Sequence, residues 1–271
     1  MTSILLHIHD DNGMESRLQA ACDIARAMDA HIQCVQVTAM PSLMAAEGYG
    51  GTSMAPAVMA ELHDIDARMR VRMEERLQRE GVSWNWRQVD GDIVHGLLSA
   101  STLCDLLIVT LPAGPRREMS DPLHIAAHLA LGGRTPVLAV PQAARGMFVP
   151  GRAVVAWDGS QEASAALHLS VPMLKKAEEV HVVTVEEAGK YPFPATDAPE
   201  YLCRHGIKTQ FHTWPQDGRT VEATLKAAIG VLKPDWMVMG AFGHSRLREL
   251  VFGGVTRTML REVHVPLLLA H

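Results

Sequence analysis

The sequence predicts an α/β fold with two tandem, doubly wound parallel-sheet domains. Short apolar runs that are typical of buried strands alternate along the chain with longer helical segments. Residues 105–109 also match residues 235–239, and residues 135–139 match residues 265–269, both at an offset of 130. One shared offset across two strands is not expected by chance, so we infer two copies of one unit.

Composition sets bounds on this interpretation. The 271 residues are 48% hydrophobic, which is enough for two ordinary domains with well-formed cores. The net charge is -5 and no cluster of Lys or Arg occurs, so nucleic acid is not an expected partner. Apolar runs all fall short of the roughly 18 residues of a membrane-spanning helix, and the N-terminus lacks a signal-peptide pattern. We therefore expect a soluble, cytoplasmic protein without a membrane partner.

The first unit opens with an apolar strand at residues 4–10, which matches the strand ending at Asp158 at an offset of 148. The difference between the two offsets gives the first unit about 18 extra residues, which we place near residues 40–70. This insertion begins with a loop rich in Gly, Ser, Ala and Met and continues into a charged helical run to Glu80. It could form a flap or an added helical edge.

A turn-rich linker at residues 141–150 separates the two units, and we divide the chain into domains 1–144 and 145–271. In the second domain we expect strands and helices to alternate in the order 152–158, 162–176, 180–185, 198–205, 207–213, 219–231, 235–239, 254–263 and 265–270. Four cysteines lack the CxxC spacing of a metal or redox motif. They are interpreted as small buried hydrophobic residues of a reducing compartment: Cys22, Cys34, Cys104 and Cys203.

The end of the second unit carries the most informative motif. Glycines follow the buried strand 235–239, where they allow a tight turn, and the pair Gly253 and Gly254 opens the next helix. Free amides at a helix N-terminus favour an anion such as phosphate, and Thr256 adds a hydroxyl group. This arrangement indicates a nucleotide site.

The spacing Gly-x2-Gly-x9-Gly, followed by Gly-Val-Thr, resembles the nucleotide-binding motif of the universal stress protein family. In that family Ser or Thr normally follows the last glycine, a place that Gly254 takes here. The resemblance extends to residues 153–160 and 179–185, and thus spans the second half of the chain. It implies two Rossmann-like domains of the adenine nucleotide alpha hydrolase-like type, joined as an intramolecular pseudo-dimer by their last strands.

The resemblance also implies a ligand and a role. The ligand would be ATP or another adenine nucleotide, with or without magnesium, bound in the C-terminal repeat only. The role would be that of a sensor or regulator in a stress response, with a second copy of the chain or a regulatory protein as partner. The residues that this implies for the site are Ala156, Trp157, Asp158, Val185, Met239, Gly240, Gly243, His244, Gly253, Gly254, Val255 and Thr256.

Several of these residues have a second interpretation. Asp158 could accept hydrogen bonds from ribose hydroxyls, or it could form a turn or cap the next helix. Trp157 could stack on a base or narrow the pocket, and Gly240 and Gly243 could serve as turn glycines only. Thr256 could face solvent at an ordinary helix start.

The first unit lacks the motif. At the offset of 130, the counterparts of Gly240, Gly243, Gly253 and Thr256 are Thr110, Ala113, Leu123 and Ala126. The acidic stretch after the first strand, residues 10–12, is therefore interpreted as a turn. We expect this unit to be a structural partner that covers sheet edges or carries a different ligand.

The sequence is also compatible with other functions. An interaction scaffold of the same fold that binds no nucleotide is the main alternative. The sequence shows no P-loop, GxGxxG or GxSxG motif and no specific base beyond Asp158, so slow ATP hydrolysis is the most that the resemblance allows. Two histidine pairs have metal-ligand spacing, His7 with His9 and His124 with His128, but neither has an evident third ligand.

Overall fold

The computed structural model describes residues 1–39, 55–111, 122–186, 194–243 and 254–271. The N-terminal half comprises β1 (Ser3–Ile8), α1 (Met14–Met28), β2 (His31–Ala39), α2 (Ala55–Glu80), β3 (Trp84–Gly91), α3 (Ile93–Ala100), β4 (Leu106–Leu111), α4 (Pro122–Gly132) and β5 (Val137–Pro141). The C-terminal half comprises β6 (Arg152–Ala156), α5 (Gln161–Leu174), β7 (Glu179–Glu186), α6 (Asp197–Arg204), β8 (Gln210–Pro215), α7 (Val221–Leu232), β9 (Trp236–Gly240), α8 (Gly254–Glu262) and β10 (Leu267–Ala270).

The described strands form one ten-stranded sheet in the order β3-β2-β1-β4-β5-β10-β9-β6-β7-β8. All neighbours are parallel except β5 and β10, which pair antiparallel with Leu268 opposite Leu138. Each half therefore repeats one doubly wound topology, and the last strand of each half joins the two into a pseudo-dimer. This confirms the predicted fold class.

The helices cover both faces of the sheet. Buried side chains of α1, α2, α5 and α6 belong to the core on one face, while those of α3, α4, α7 and α8 belong to the core on the other. Central strands such as β4 are buried at every position, as a parallel sheet covered on both sides requires. The outer strands β3 and β8 instead mix exposed with half-buried positions, because each has a neighbour on one side only.

The strand registers align the two halves residue by residue, which gives a more exact correspondence than the sequence match does. Ile4 lies opposite Leu106 in the same way that Ala153 lies opposite Trp236, so the first strands correspond at an offset of 149 rather than 148. The first helices begin at Met14 and Gln161, an offset of 147. The turn after the first strand is therefore two residues longer in the N-terminal half.

The described part of the predicted insertion, residues 55–70, lies in helix α2. This helix has 26 residues, whereas α6, which follows the equivalent strand of the other half, has 8. Met69, Met73 and Leu77 of α2 are buried against the same core as α1. The described part of the insertion is thus a long helix packed on the sheet face, and residues 40–54 lie outside the described residues.

Part of the linker after β5 is buried in the core. Met147 and Val149 are buried, the Met147 amide donates to Asp23 Oδ2 at 3.0 Å, and Trp236 Nε1 donates to the Val149 carbonyl at 3.2 Å. Because Asp23 lies in α1 and Trp236 in β9, the linker contacts both halves.

The cysteines differ in burial. Cys22 and Cys34 are buried as predicted, and burial raises the pKa of their thiols to about 11 and about 12. Cys104 is half-buried, whereas Cys203 is exposed on α6, so the prediction of a buried residue was wrong for Cys203. Among the described residues, no helix combines the length and apolar character needed to cross a membrane.

Candidate functional site

A cavity of about 220 Å³ lies at the carboxyl ends of β6, β7 and β9. This is the point of the C-terminal half where the strand order reverses, which is where ligands bind in open α/β sheets. Its described lining comprises Ala156, Trp157, Asp158, Ser160, Glu162, Ala163, Val183, Val185, Val221, Leu225, Met239, Gly240, Phe242, Gly243, Gly254, Val255 and Thr256.

The structure brings ten of the twelve predicted site residues to this one cavity. They are Ala156, Trp157, Asp158, Val185, Met239, Gly240, Gly243, Gly254, Val255 and Thr256. The other two, His244 and Gly253, lie outside the described residues. That any of these residues contacts a ligand stays a prediction.

The turn after β6 is held by two side chains. Asp158 Oδ1 accepts a hydrogen bond from the Ser160 amide at 3.0 Å, and Ser160 Oγ accepts one from the Ala163 amide at 3.0 Å. Ser160 is therefore the N-cap of α5, and the interpretation of Asp158 as the helix cap was wrong. Asp158 instead forms an Asx turn and stays exposed at the rim of the cavity.

Gly240 is required for close packing of backbone against backbone, in addition to any role in the turn. A Cβ atom at this position would lie 2.5 Å from the Ala163 nitrogen, in the first turn of α5. The absence of a side chain thus allows the end of β9 to approach the start of α5. Gly243 is less constrained, because its nearest neighbour would be the Glu162 Oε2 atom at 3.2 Å.

Thr256 does not face solvent. Its side chain is buried, and its Oγ1 atom accepts a hydrogen bond from the Phe242 amide at 3.1 Å. Phe242 has a φ of 59°, a conformation that is uncommon for a residue with a side chain. The hydroxyl group therefore holds the turn after β9 against the first turn of α8.

Trp157 lies between the cavity and the core, and most of its surface is buried. The residue is buried with Ala198 and Leu202 in the core on the α5 and α6 face, while Leu225 lies in the core of the opposite face. Its Nε1 atom donates to the Pro194 carbonyl at 3.4 Å. The bulk of this residue stabilises the core beside the cavity.

Sequence reasoning missed several lining residues. Val183 lies two residues before Val185 on the same face of β7, so the strand period could have found it. The Asp-Gly-Ser turn before an apolar helix likewise marks Ser160 as a cap. Val221 and Leu225 gave no such signal, because only the packing of α7 on the sheet brings them to the cavity.

The charged side chains in the described lining of the cavity are acidic. Its described lining includes the carboxylates of Asp158 and Glu162 and no Lys, Arg or His side chain. The amides at the start of α8 supply positive potential through Gly254 and Val255. Valine and leucine side chains of β7 and α7 make the remaining wall apolar.

The equivalent place in the N-terminal half is filled by side chains. By strand register, His7 corresponds to Ala156, and Thr110 corresponds to Gly240. Both are buried, and burial, with a contribution from Arg17, holds the pKa of His7 well below its usual value. Among the described residues, His7 Nε2 has no hydrogen-bond partner.

A buried arginine completes this filling. Arg17 donates to both carboxylate oxygens of Asp11 at 2.7 Å, to Thr110 Oγ1 at 2.6 Å and to the carbonyls of His7 and His9 at 2.7 Å. Burial lowers its pKa, and Asp11 opposes that effect. The Asp11 Oδ1 atom also accepts from the Gly13 amide at 2.7 Å, which confirms the predicted turn.

Of the two histidine pairs, His7 with His9 is the one whose side chains both lie within the described residues. The rings of His7 and His9 stack with centroids 5.8 Å apart, one buried and the other exposed. The side chain of His124 lies outside the described residues. Among the described residues, no three His, Cys, Asp or Glu side chains are grouped as metal ligands.

Comparison with known proteins gives a family match for part of the chain. Residues 202–271 match the model of the universal stress protein family. They include β9 and α8, which form one side of the cavity. The match supports a relationship between this chain and the universal stress protein family. No curated protein sequence shows significant similarity to the chain.

Solved structures of universal stress proteins share the fold over the full chain. The crystal structure of a universal stress protein from Archaeoglobus fulgidus DSM 4304 matches with a TM-score of 0.77 and 16% identity, covering 99% of this chain and 97% of that one. A candidate universal stress protein from Pseudomonas aeruginosa UCBPP-PA14 matches with a TM-score of 0.58 and 17% identity, covering 99% and 92%. At these identities, the likeness concerns the fold.

Proposed function

We propose that the chain is a universal stress protein that binds ATP or a related adenine nucleotide in the cavity of its C-terminal half. The bound state would regulate a stress response in the cytoplasm by changing association with a second copy or with a regulatory protein. The chain would consist of two repeats, 1–144 and 145–271, of which the second carries the nucleotide site.

One observation carries this proposal. Residues 156–158, 185, 239–240, 242–243 and 254–256 are far apart in sequence, yet all line one cavity at the strand-order reversal. A set of unrelated turn glycines would not be expected to converge in this way. The match of residues 202–271 to the family model adds independent support.

Each part of the cavity suits one part of a nucleotide. The apolar side chains of Val185 and Leu225 would contact the base, and the exposed carboxylate of Asp158 would accept hydrogen bonds from ribose hydroxyls. Amides of Gly254 and Val255, at the start of α8, would donate to phosphate oxygens. His244 and Gly253 are proposed as further contacts. Magnesium, if bound, would be held by phosphate oxygens together with Asp158.

The test is calorimetric titration of the nucleotide-stripped protein with ATP, ADP and AMP, with and without magnesium. Gly243→Val should abolish binding, because its side chain would enter the cavity while displacing only the flexible end of Glu162. Ala156→Leu should do the same from the end of β6.

A matched control separates occlusion from misfolding. Ala223→Leu makes the same change at an exposed position of α7, outside the cavity lining, and should leave binding unchanged. Thermal denaturation of all variants would verify that each is folded. Equal binding by the wild type and both cavity variants would refute the proposed site.

A second candidate function is an interaction scaffold that binds no nucleotide. The acidic lining of the cavity favours it, because the described residues place no cationic side chain against a phosphate. Absence of heat and of any thermal shift with all three nucleotides would support this alternative.

A further inference from the structure

Glu162 lines the cavity beside the glycine turn after β9. Glu162 is the second residue of α5 and is half-buried. Its Oε2 atom lies 3.2 Å from the point where a Cβ atom on Gly243 would be. The carboxylate therefore covers the glycine turn that leads from β9 towards α8.

A second carboxylate faces the start of α8 from another helix. Glu222 lies in the first turn of α7, and its Oε1 atom is 4.0 Å from the point where a Cβ atom on Gly254 would be. Lys226, one turn later on α7, pairs with Glu262 of α8. Of the described residues, those that line the cavity include no Lys, Arg or His.

These charges oppose a polyphosphate. The N-terminus of a helix is equivalent to only about half a positive charge. A terminal phosphate carries about 1.5 to 2 negative charges near neutral pH, and each further phosphate adds about one more. Among the described residues, the start of α8 can offset a small part of this charge, while the carboxylates of Glu162 and Glu222 repel each phosphate.

An adenine nucleoside avoids this repulsion. A base with its ribose has much less volume than a nucleoside triphosphate, and it carries no charge that the carboxylates would repel.

We propose that Glu162 makes this cavity selective for an adenine nucleoside or nucleoside monophosphate over ATP. The inference rests on the proposed function and specifies the ligand class of the same site. Glu162 is thus a specificity-determining residue, whose charge lowers the affinity for a ligand in proportion to the number of its phosphates.

The experiment is calorimetric titration with adenosine, AMP, ADP and ATP in the presence of EDTA. The wild type should bind adenosine and AMP more tightly than ATP. Glu162→Gln keeps the shape of the side chain and removes its charge. It should raise the affinity for ATP by about a factor of ten and that for adenosine less than twofold, as expected for a partly screened unit charge near a phosphate.

The N-terminal half offers a matched control. Glu15 is the second residue of α1, the position in that helix that Glu162 holds in α5, and it is exposed. Glu15→Gln removes the same charge far from the cavity and should leave all four affinities unchanged. Raising the salt concentration should weaken the discrimination against ATP in the wild type.

The outcomes separate the two proposals. Tighter binding of ATP than of AMP by the wild type, with or without magnesium, would overturn the charge selection and leave the nucleotide site intact. An equal effect of Glu162→Gln on adenosine and ATP would overturn it as well. If none of the four ligands binds, both the proposed function and this inference are wrong.

Discussion

The amide of Phe242 donates a hydrogen bond to Thr256 Oγ1 at 3.1 Å and thereby joins the turn after β9 to the first turn of α8. These residues border the segment 244–253, which carries the middle of the predicted motif. By accepting this hydrogen bond, the Thr256 hydroxyl helps to fix the geometry of the cavity. Its own proton stays available for a ligand.

Replacement of Thr256 should affect stability as well as binding. Thr256→Ala removes the oxygen that accepts from the Phe242 amide and should lower the free energy of unfolding by about 1–2 kcal/mol. Thr256→Ser keeps the oxygen and should retain most of that stability. Urea denaturation would measure both variants, and wild-type stability of the alanine variant would contradict the assigned role.

Substitution of Gly240 should destabilise the fold. In Gly240→Ala the new methyl group would lie 2.5 Å from the Ala163 nitrogen, so backbone must shift, at a cost of about 1–3 kcal/mol. Gly230→Ala in α7 is the matched control, because no heavy atom lies within 4 Å of that methyl group. It should raise stability by up to about 1 kcal/mol. Denaturant unfolding that ranks the two variants in the opposite order would disprove the steric argument.

The buried Arg17 should be essential to the N-terminal half. Arg17→Met removes the donor to Asp11, Thr110 and two carbonyls, and should cost about 3 kcal/mol of unfolding free energy. Arg204→Met removes an exposed partner of Glu200 and should cost less than about 1 kcal/mol. Similar losses in the two variants would mean that the buried network contributes little.

His7 should make the protein less stable in mild acid. Its pKa in the folded state is held well below the value of about 6.5 of the unfolded chain, chiefly by burial. Between these two values only the unfolded state gains the proton, so stability present above pH 6.5 is lost on acidification by about 1.4 kcal/mol per pH unit.

This prediction is measured by urea unfolding of the wild type and His7→Asn between pH 7.5 and 5.5. The slope of stability against pH below 6.5 should be smaller in the variant by about one proton. Burial and His181 also lower the pKa of His212, so some dependence of the same sign should remain. Identical slopes in the two proteins would show that His7 is protonated in the folded state as readily as in the unfolded chain.

Much of the candidate site was predicted from sequence. The glycine spacing after β9, together with the resemblance to the universal stress protein family, indicated residues that the structure brings to one cavity. The roles of individual residues were less accessible, because they depend on partners remote in sequence. Trp157 belongs to the core through Pro194, Ala198 and Leu202, and Gly240 is required by the approach of Ala163.

The N-terminal half shows the same limit of local reasoning. Loss of the glycines at positions such as Thr110 predicted that this half lacks the motif. The side chains that fill its place, Arg17 and His7, carry no local signal of that role. Only the strand register brings them to the equivalent position.

The sequence by itself determined the α/β class, the two repeated units and the location of the motif, because apolar periodicity and glycine spacing are local properties of the chain. The tertiary structure decided that β5 and β10 join the halves antiparallel, that α7 supplies a wall of the cavity, and that Glu162 lies over Gly243. These relationships join residues distant in sequence, and close packing of helices against the sheet fixes them.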